Sequence, residues 1–159
     1  MKKKIGVNIM HFVFIIIFNV ILSCGNNHRN FSKGDLLEAD RNFSEMSVDK
    51  GMFEAFLANI AEDGVILRNN SYPSEGRDNL EKYFSGKSDT SFILKWEPLF
   101  ENIAESGEIG YTYGIHININ RMTGEEKKGT YVTIWQMQKD GCWKFILDTG
   151  TQGLPDHQE

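Results

Sequence analysis

Residues 108–150 leave this chain few ways to fold. Ile109 to Asn120, Tyr131 to Gln138 and Cys142 to Gly150 each alternate side chains with a period of two. A Met122-Thr123-Gly124-Glu125 turn joins the first run to the second, and Asp140-Gly141 joins the second to the third. Three such runs with short turns predict a three-stranded antiparallel meander.

Asp-Gly between alternating runs is a strong hairpin signal. Read as a two-residue loop, it pairs Lys139 with Cys142, Trp135 with Ile146 and Thr133 with Asp148. One face then carries Tyr131, Thr133, Trp135, Met137, Lys144, Ile146 and Asp148; Val132, Ile134, Gln136, Trp143, Phe145 and Leu147 take the other. Matching apolar with apolar on the preceding strand sets Gly114 opposite Trp135. It also aligns His116, Thr133 and Asp148 across three strands. A one-residue bulge would reverse these faces. His116 with Asp148 is the nearest approach to a catalytic pair, and a cross-strand polar cluster on a solvent or subunit face is the simpler reading.

The 159 residues suffice for one domain with a core. Lys2, Lys3 and Lys4 precede an apolar run from about Ile9 to Leu22, which has the layout of a signal peptide over residues 1–23. Ser23-Cys24-Gly25 at its end is similar to a bacterial lipobox, with Cys24 the acylated residue; an uncleaved anchor is the other reading. Acyl chains would hold the protein on the membrane. The expected location is the bacterial cell envelope, on the periplasmic face of the outer membrane. Residues 24–32 read as a tether, 33–153 as the domain and 154–159 as a polar tail. Without residues 1–23 the net charge falls from −5 to −8, because three lysines and no acid are lost. A balance that acidic argues against nucleic acid as a partner. With Cys24 acylated, Cys142 would have no disulfide partner within the chain.

From Gly34 to Val48, Leu36, Leu37, Ala39, Phe43 and Met46 share one helical face. Asp40 projects inside that apolar arc, where a carboxylate must be hydrogen-bonded, paired or facing a wet cavity. Asp49 is the expected N-cap of a second helix, ended by Glu62-Asp63-Gly64. Val65 to Leu67 reads as a short strand, and a third helix starts at Ser74 or Glu75 and stops at Gly86. Phe92 to Ala104 is a long strand in which Pro98 marks a bulge or a sheet edge. His11 falls in the signal and His157 in the tail, so no multi-histidine metal site is expected, and nothing indicates a cofactor. No nucleophile-elbow, phosphate-loop or paired-cysteine motif is present.

The pieces Leu37-Glu38-Ala39-Asp40-Arg41-Asn42-Phe43, Leu94-Lys95-Trp96-Glu97-Pro98, Gly110-Tyr111-Thr112-Tyr113-Gly114, Tyr131-Val132-Thr133-Ile134-Trp135 and Leu147-Asp148-Thr149-Gly150 resemble the SnoaL-like group of the nuclear transport factor 2-like superfamily. The resemblance implies an α+β cone: three N-terminal helices packed on a curved, mostly antiparallel sheet, with a cavity between them and often a homodimer through the outer face. It implies no single activity. The expected function is binding of a small apolar molecule, with Asp40, Trp96 and Tyr113 in the cavity wall, and with Trp135, His116 and Asp148 as the wall if the register is shifted. The alternatives are an isomerase, dehydratase or hydrolase with Asp40 as general base, and a dimerisation or partner-docking module.

Overall fold

A computed structural model describes residues 35–155. Helix α1 (Asp35–Lys50) is followed by α2 (Met52–Asn59), β1 (Ile60–Leu67), a two-residue β2 (Ser74–Glu75), α3 (Arg77–Phe84), β3 (Phe92–Ile103), β4 (Ile109–Asn120), β5 (Glu126–Met137) and β6 (Trp143–Gly150). The strands form one sheet in the order β2-β1-β6-β5-β4-β3, antiparallel throughout except where β1 runs parallel to β6. This is the expected α+β arrangement of helices on a curved, mostly antiparallel sheet.

α1 buries Leu36, Asp40, Phe43, Ser44 and Ser47, a stripe at helical spacing that is more than half polar. Each polar member answers a group on β3. Ser44 Oγ donates to Trp96 O at 2.7 Å and accepts from Trp96 N at 2.8 Å, and Ser47 Oγ donates to Leu94 O at 2.7 Å. Leu37 N, a first-turn amide without a helical partner, donates to Glu101 Oε2 at 2.9 Å. The helix is thereby fixed in register along the edge strand by hydrogen bonds as well as by apolar burial.

Above the sheet, Phe43 is the centre of an aromatic core. Its ring centroid lies 4.6 Å from Trp96, 4.8 Å from Phe56, 5.6 Å from Phe145 and 6.0 Å from Trp135. Such offset and edge-on contacts add to area burial.

Several details differ from the sequence reading. Asp49 lies inside α1; Gly51 stands at the α2 N-cap position with φ 94°, and Asp89 Oδ2 accepts from Phe53 N at 2.8 Å in its place. β1 starts at Ile60, so Glu62-Asp63-Gly64 sits within the strand rather than ending a helix. The end of α2 is held from outside: Lys144 Nζ donates to Ala58 O at 2.5 Å, and Arg77 Nη1 donates to Leu57 O. Cations on the last carbonyls complement the helix dipole. Burial draws the Lys144 ammonium below its usual pKa, Asp140 opposing and Arg77 reinforcing the shift.

Two further departures concern register. Thr133 does pair with Asp148, but Trp135 pairs with Phe145, and Ile146 is the extra residue of a bulge. Trp143 and Phe145 therefore turn to the buried face, where the two-residue-loop reading placed Ile146. β4 slides four residues relative to β5: Gly110 faces Trp135, Thr112 faces Thr133, Gly114 faces Tyr131 and His116 faces Gly129. An even slip preserves the faces while moving every partner. Pro98 sits on an edge strand beside a bulge between Pro98 and Phe100. Gly114 is needed there, because a side chain would run into the Glu97 carbonyl. Cys24 lies outside the described residues, as do the residues read as the signal peptide and tether.

Candidate functional site

Between α2, the end of β1 and the inner faces of β3–β6 lies a cavity of about 350 Å³. Phe56, Trp96 and Tyr131 form its inner wall and Phe92, Leu94, Met52 and Tyr83 its sides, while Arg68, Asn69, Ser71, His116, Asn118, Asp148, Thr149 and Gln152 bring polar groups to it. A further space of about 170 Å³ extends between α2 and α3, sharing Met52, Phe56, Arg68 and Tyr83 with the first. A concave space with aromatic walls and polar groups converging on it has the usual character of a small-molecule site.

Asp40 lies behind the inner wall. It is 0% exposed and does not line the cavity. Trp96 Nε1 donates to its Oδ1 at 2.7 Å, and the Tyr131 hydroxyl donates to its Oδ2 at 2.7 Å. Thr112 adds a third hydrogen bond, and Thr112 Oγ1 itself accepts from Trp135 Nε1 at 2.9 Å. A chain of donors thus runs from Trp135 through Thr112 to the carboxylate. Burial raises the Asp40 pKa, the three hydrogen bonds pull it back, and the charge of Asp148 adds to the rise. Burial, and then the Asp40 charge, keep the Tyr131 phenol protonated far above its ordinary pKa. Asp40 orients the two rings that the cavity sees.

Asp148 is joined to Arg68 through Oδ1 at 2.7 Å and accepts from Thr133 Oγ1 through Oδ2 at 2.9 Å. Arg68 also lies over the Phe56 ring, 5.4 Å from its centroid. The parallel β1–β6 pairing creates this contact, since Leu67 faces Thr149 and Arg68 follows directly. His116 Nε2 lies 2.8 Å from the Thr151 carbonyl oxygen, which can only accept, so Nε2 carries a hydrogen; Nδ1 is buried with no partner among the described residues. Gly129 makes room for this contact, as a side chain there would strike both Thr151 and His116.

Of the expected site residues, Trp96, His116 and Asp148 line the cavity. His116 does not meet Asp148 as a pair, because the four-residue slip sets it opposite Gly129. Trp135 is 0% exposed in the core. Tyr113 is on the opposite face, 45% exposed and stacked on Phe100 at 5.3 Å, because odd positions of β4 point away from the helices. Arg68 and Tyr131 were not singled out in advance. Tyr131 shares the period-two face of Thr133 and Trp135, which was a usable signal; Arg68 required knowledge of the parallel pairing.

No family model matches the sequence, and no curated protein matches it. Solved structures do. A domain of unknown function with a cystatin-like fold from Nostoc punctiforme superposes with a TM-score of 0.64 at 17% identity, covering 79% of this chain and 82% of that one. A ketosteroid isomerase-like protein from Erwinia carotovora atroseptica gives 0.61 at 16% identity, covering 79% and 100%. A nuclear transport factor 2-like protein from Novosphingobium aromaticivorans gives 0.59 at 13% identity, covering 72% and 77%. Likeness at such identities speaks to architecture, and on it this chain has the nuclear transport factor 2-like, cystatin-like fold.

Proposed function

We propose that the domain binds a small, largely apolar molecule in the cavity between its helices and sheet, and that Cys24 acylation tethers it to the periplasmic face of the outer membrane. The observation that carries the binding reading is the cavity of about 350 Å³ with an aromatic inner wall. Its inner rings are locked by hydrogen bonds to Asp40, so the wall is preorganised and little ordering cost remains for binding. The lipobox-like Ser23-Cys24-Gly25 supports the tether.

An enzyme with Asp40 as general base is the weaker reading. A base must reach the proton it abstracts, and Asp40 is enclosed, with its oxygens engaged by Trp96 and Tyr131. The docking reading keeps one specific support: Leu99, Phe100, Ile109, Tyr111 and Tyr113 are exposed on the outer face or its edge. A second copy of the chain could cover that face without touching the cavity.

A thermal-shift screen of the protein against metabolites and lipids tests the binding reading, run beside Asn118→Phe, which fills the cavity from β4. A ligand at 100-fold its dissociation constant adds about 2.7 kcal/mol. The reading expects hits that Asn118→Phe abolishes. Hits that persist in the variant would place binding elsewhere.

A further inference from the structure

Asp40 is a buried carboxylate whose partners are all neutral. Trp96, Tyr131 and Thr112 each bring a hydrogen, and among the described residues no lysine or arginine forms an ion pair with it. The second carboxylate nearby, Asp148, is paired with Arg68 at 2.7 Å. That leaves one guanidinium for two carboxylates around the cavity. Lys87 stands 3.2 Å from the Tyr83 ring centroid, but on an exposed residue where water screens its charge.

The rings between Asp40 and the cavity form a corner. Phe56 and Trp96 have centroids 6.1 Å apart at 67°, and Trp96 and Tyr131 are 6.2 Å apart at 64°. Trp96 and Tyr131 have both spent their polar hydrogens on Asp40, so they offer the cavity ring surface and no donor. Donation to a carboxylate also makes the rings richer in electrons. An electron-rich aromatic corner backed by an uncompensated negative charge attracts a cation.

Both oxygens of each carboxylate are already engaged, Asp40 by Trp96 and Tyr131 and Asp148 by Arg68 and Thr133. A cation that must itself donate hydrogen bonds would find Asp40 enclosed behind the rings and Asp148 buried and held by Arg68 and Thr133. We infer that the cavity takes an organic cation that needs no hydrogen bond, a quaternary ammonium group seated against Trp96 and Tyr131, beside the Phe56 ring that Arg68 already covers, with its apolar remainder along Leu94 and Phe92. The inference rests on the cavity being a ligand site and specifies the charge of what enters it. A free small molecule and a lipid headgroup share this chemistry.

The test is titration of the full chain with benzyltrimethylammonium, with neopentylbenzene (carbon in place of the nitrogen) and with phenylacetate, read by tryptophan fluorescence. The expected result is about tenfold tighter binding of the cation than of its neutral isostere, with that preference reduced in Asp40→Asn. The wild-type comparison stands even where the variant folds poorly. Equal or tighter binding of neopentylbenzene would overturn the inference and leave the cavity reading intact. Preference for phenylacetate would overturn it in favour of Arg68 as the anchor. Binding of none of the three overturns it too, and the library screen with Asn118→Phe then decides the cavity reading separately. Where the cation does bind, its displacement by phosphatidylcholine vesicles but not by phosphatidylglycerol vesicles assigns a headgroup. No displacement by either assigns a free molecule.

Discussion

Replacing Asp40 by Asn separates the two influences on this group. The carboxylate takes hydrogen bonds from Trp96, Tyr131 and Thr112. Asn keeps one acceptor oxygen for the Trp96 indole, which can only donate. Its amide nitrogen then faces Tyr131, whose hydroxyl can turn and accept. The net loss is close to one bond to a charged acceptor, about 1.5–3 kcal/mol, less the relief of no longer burying a charge. The pH dependence follows from the raised pKa of Asp40. A carboxyl group raised in the folded state contributes most stability below its unfolded value of about 3.9 and loses it as pH rises through the folded value. Asn does not titrate, and the other carboxylates are common to both proteins. The deficit of Asp40→Asn is therefore largest near pH 4, where the carboxyl is most protonated and the loss is a bond between neutral groups (about 0.5–1.5 kcal/mol), and it shrinks toward neutrality. Urea unfolding of both proteins across that range, followed by tryptophan fluorescence, measures it. A deficit that widens with pH would show that the three donors outweigh burial, and would refute the reasoning.

Trp135→Ala removes a fully buried indole packed on Phe43 and Phe145, and should cost about 3–5 kcal/mol in unfolding without altering the molecular mass in solution. Phe100→Asp with Tyr113→Asp places charge on the exposed outer face; if that face joins two copies, light scattering will show monomers, and an unchanged mass removes the docking reading there. Cys24→Ala should move the protein from the membrane fraction to the soluble one. Intact mass of the wild type distinguishes an acylated Cys24 from a chain in which that cysteine is paired with Cys142.

Much of the fold was legible because alternation and turn chemistry act locally. The long runs of β3 to β6, the amphipathic α1 and the Thr133–Asp148 pairing could be read from neighbours in the chain. Asp40 was conspicuous as a carboxylate inside an apolar arc, although its partners come from β3, β4 and β5 and none could be named from α1 alone. What failed was decided by long-range packing. The bulge at Ile146 leaves no mark in the sequence, since Trp143 and Phe145 look equally at home on either face, and it took the depth of the core under Phe43 to turn them inward. The β4–β5 slip escaped because the apolar alternation of Ile109 to Ile119 fits several even offsets equally well. Tyr113 was placed with the cavity for being aromatic, when parity on β4 already put it with Ile115 and Ile117, opposite Thr112 and His116.

The central claim is that the occupied surface is the inner aromatic corner. Chemical-shift mapping of a screened ligand reads this directly, because the three tryptophan indole N–H resonances are separately observable. The account predicts that the Trp96 indole and the amides of Asn118 and Gly150 shift on binding, while Phe100, Tyr111 and Tyr113 do not. Shifts confined to the outer-face residues, with the Trp96 indole unmoved, would contradict it.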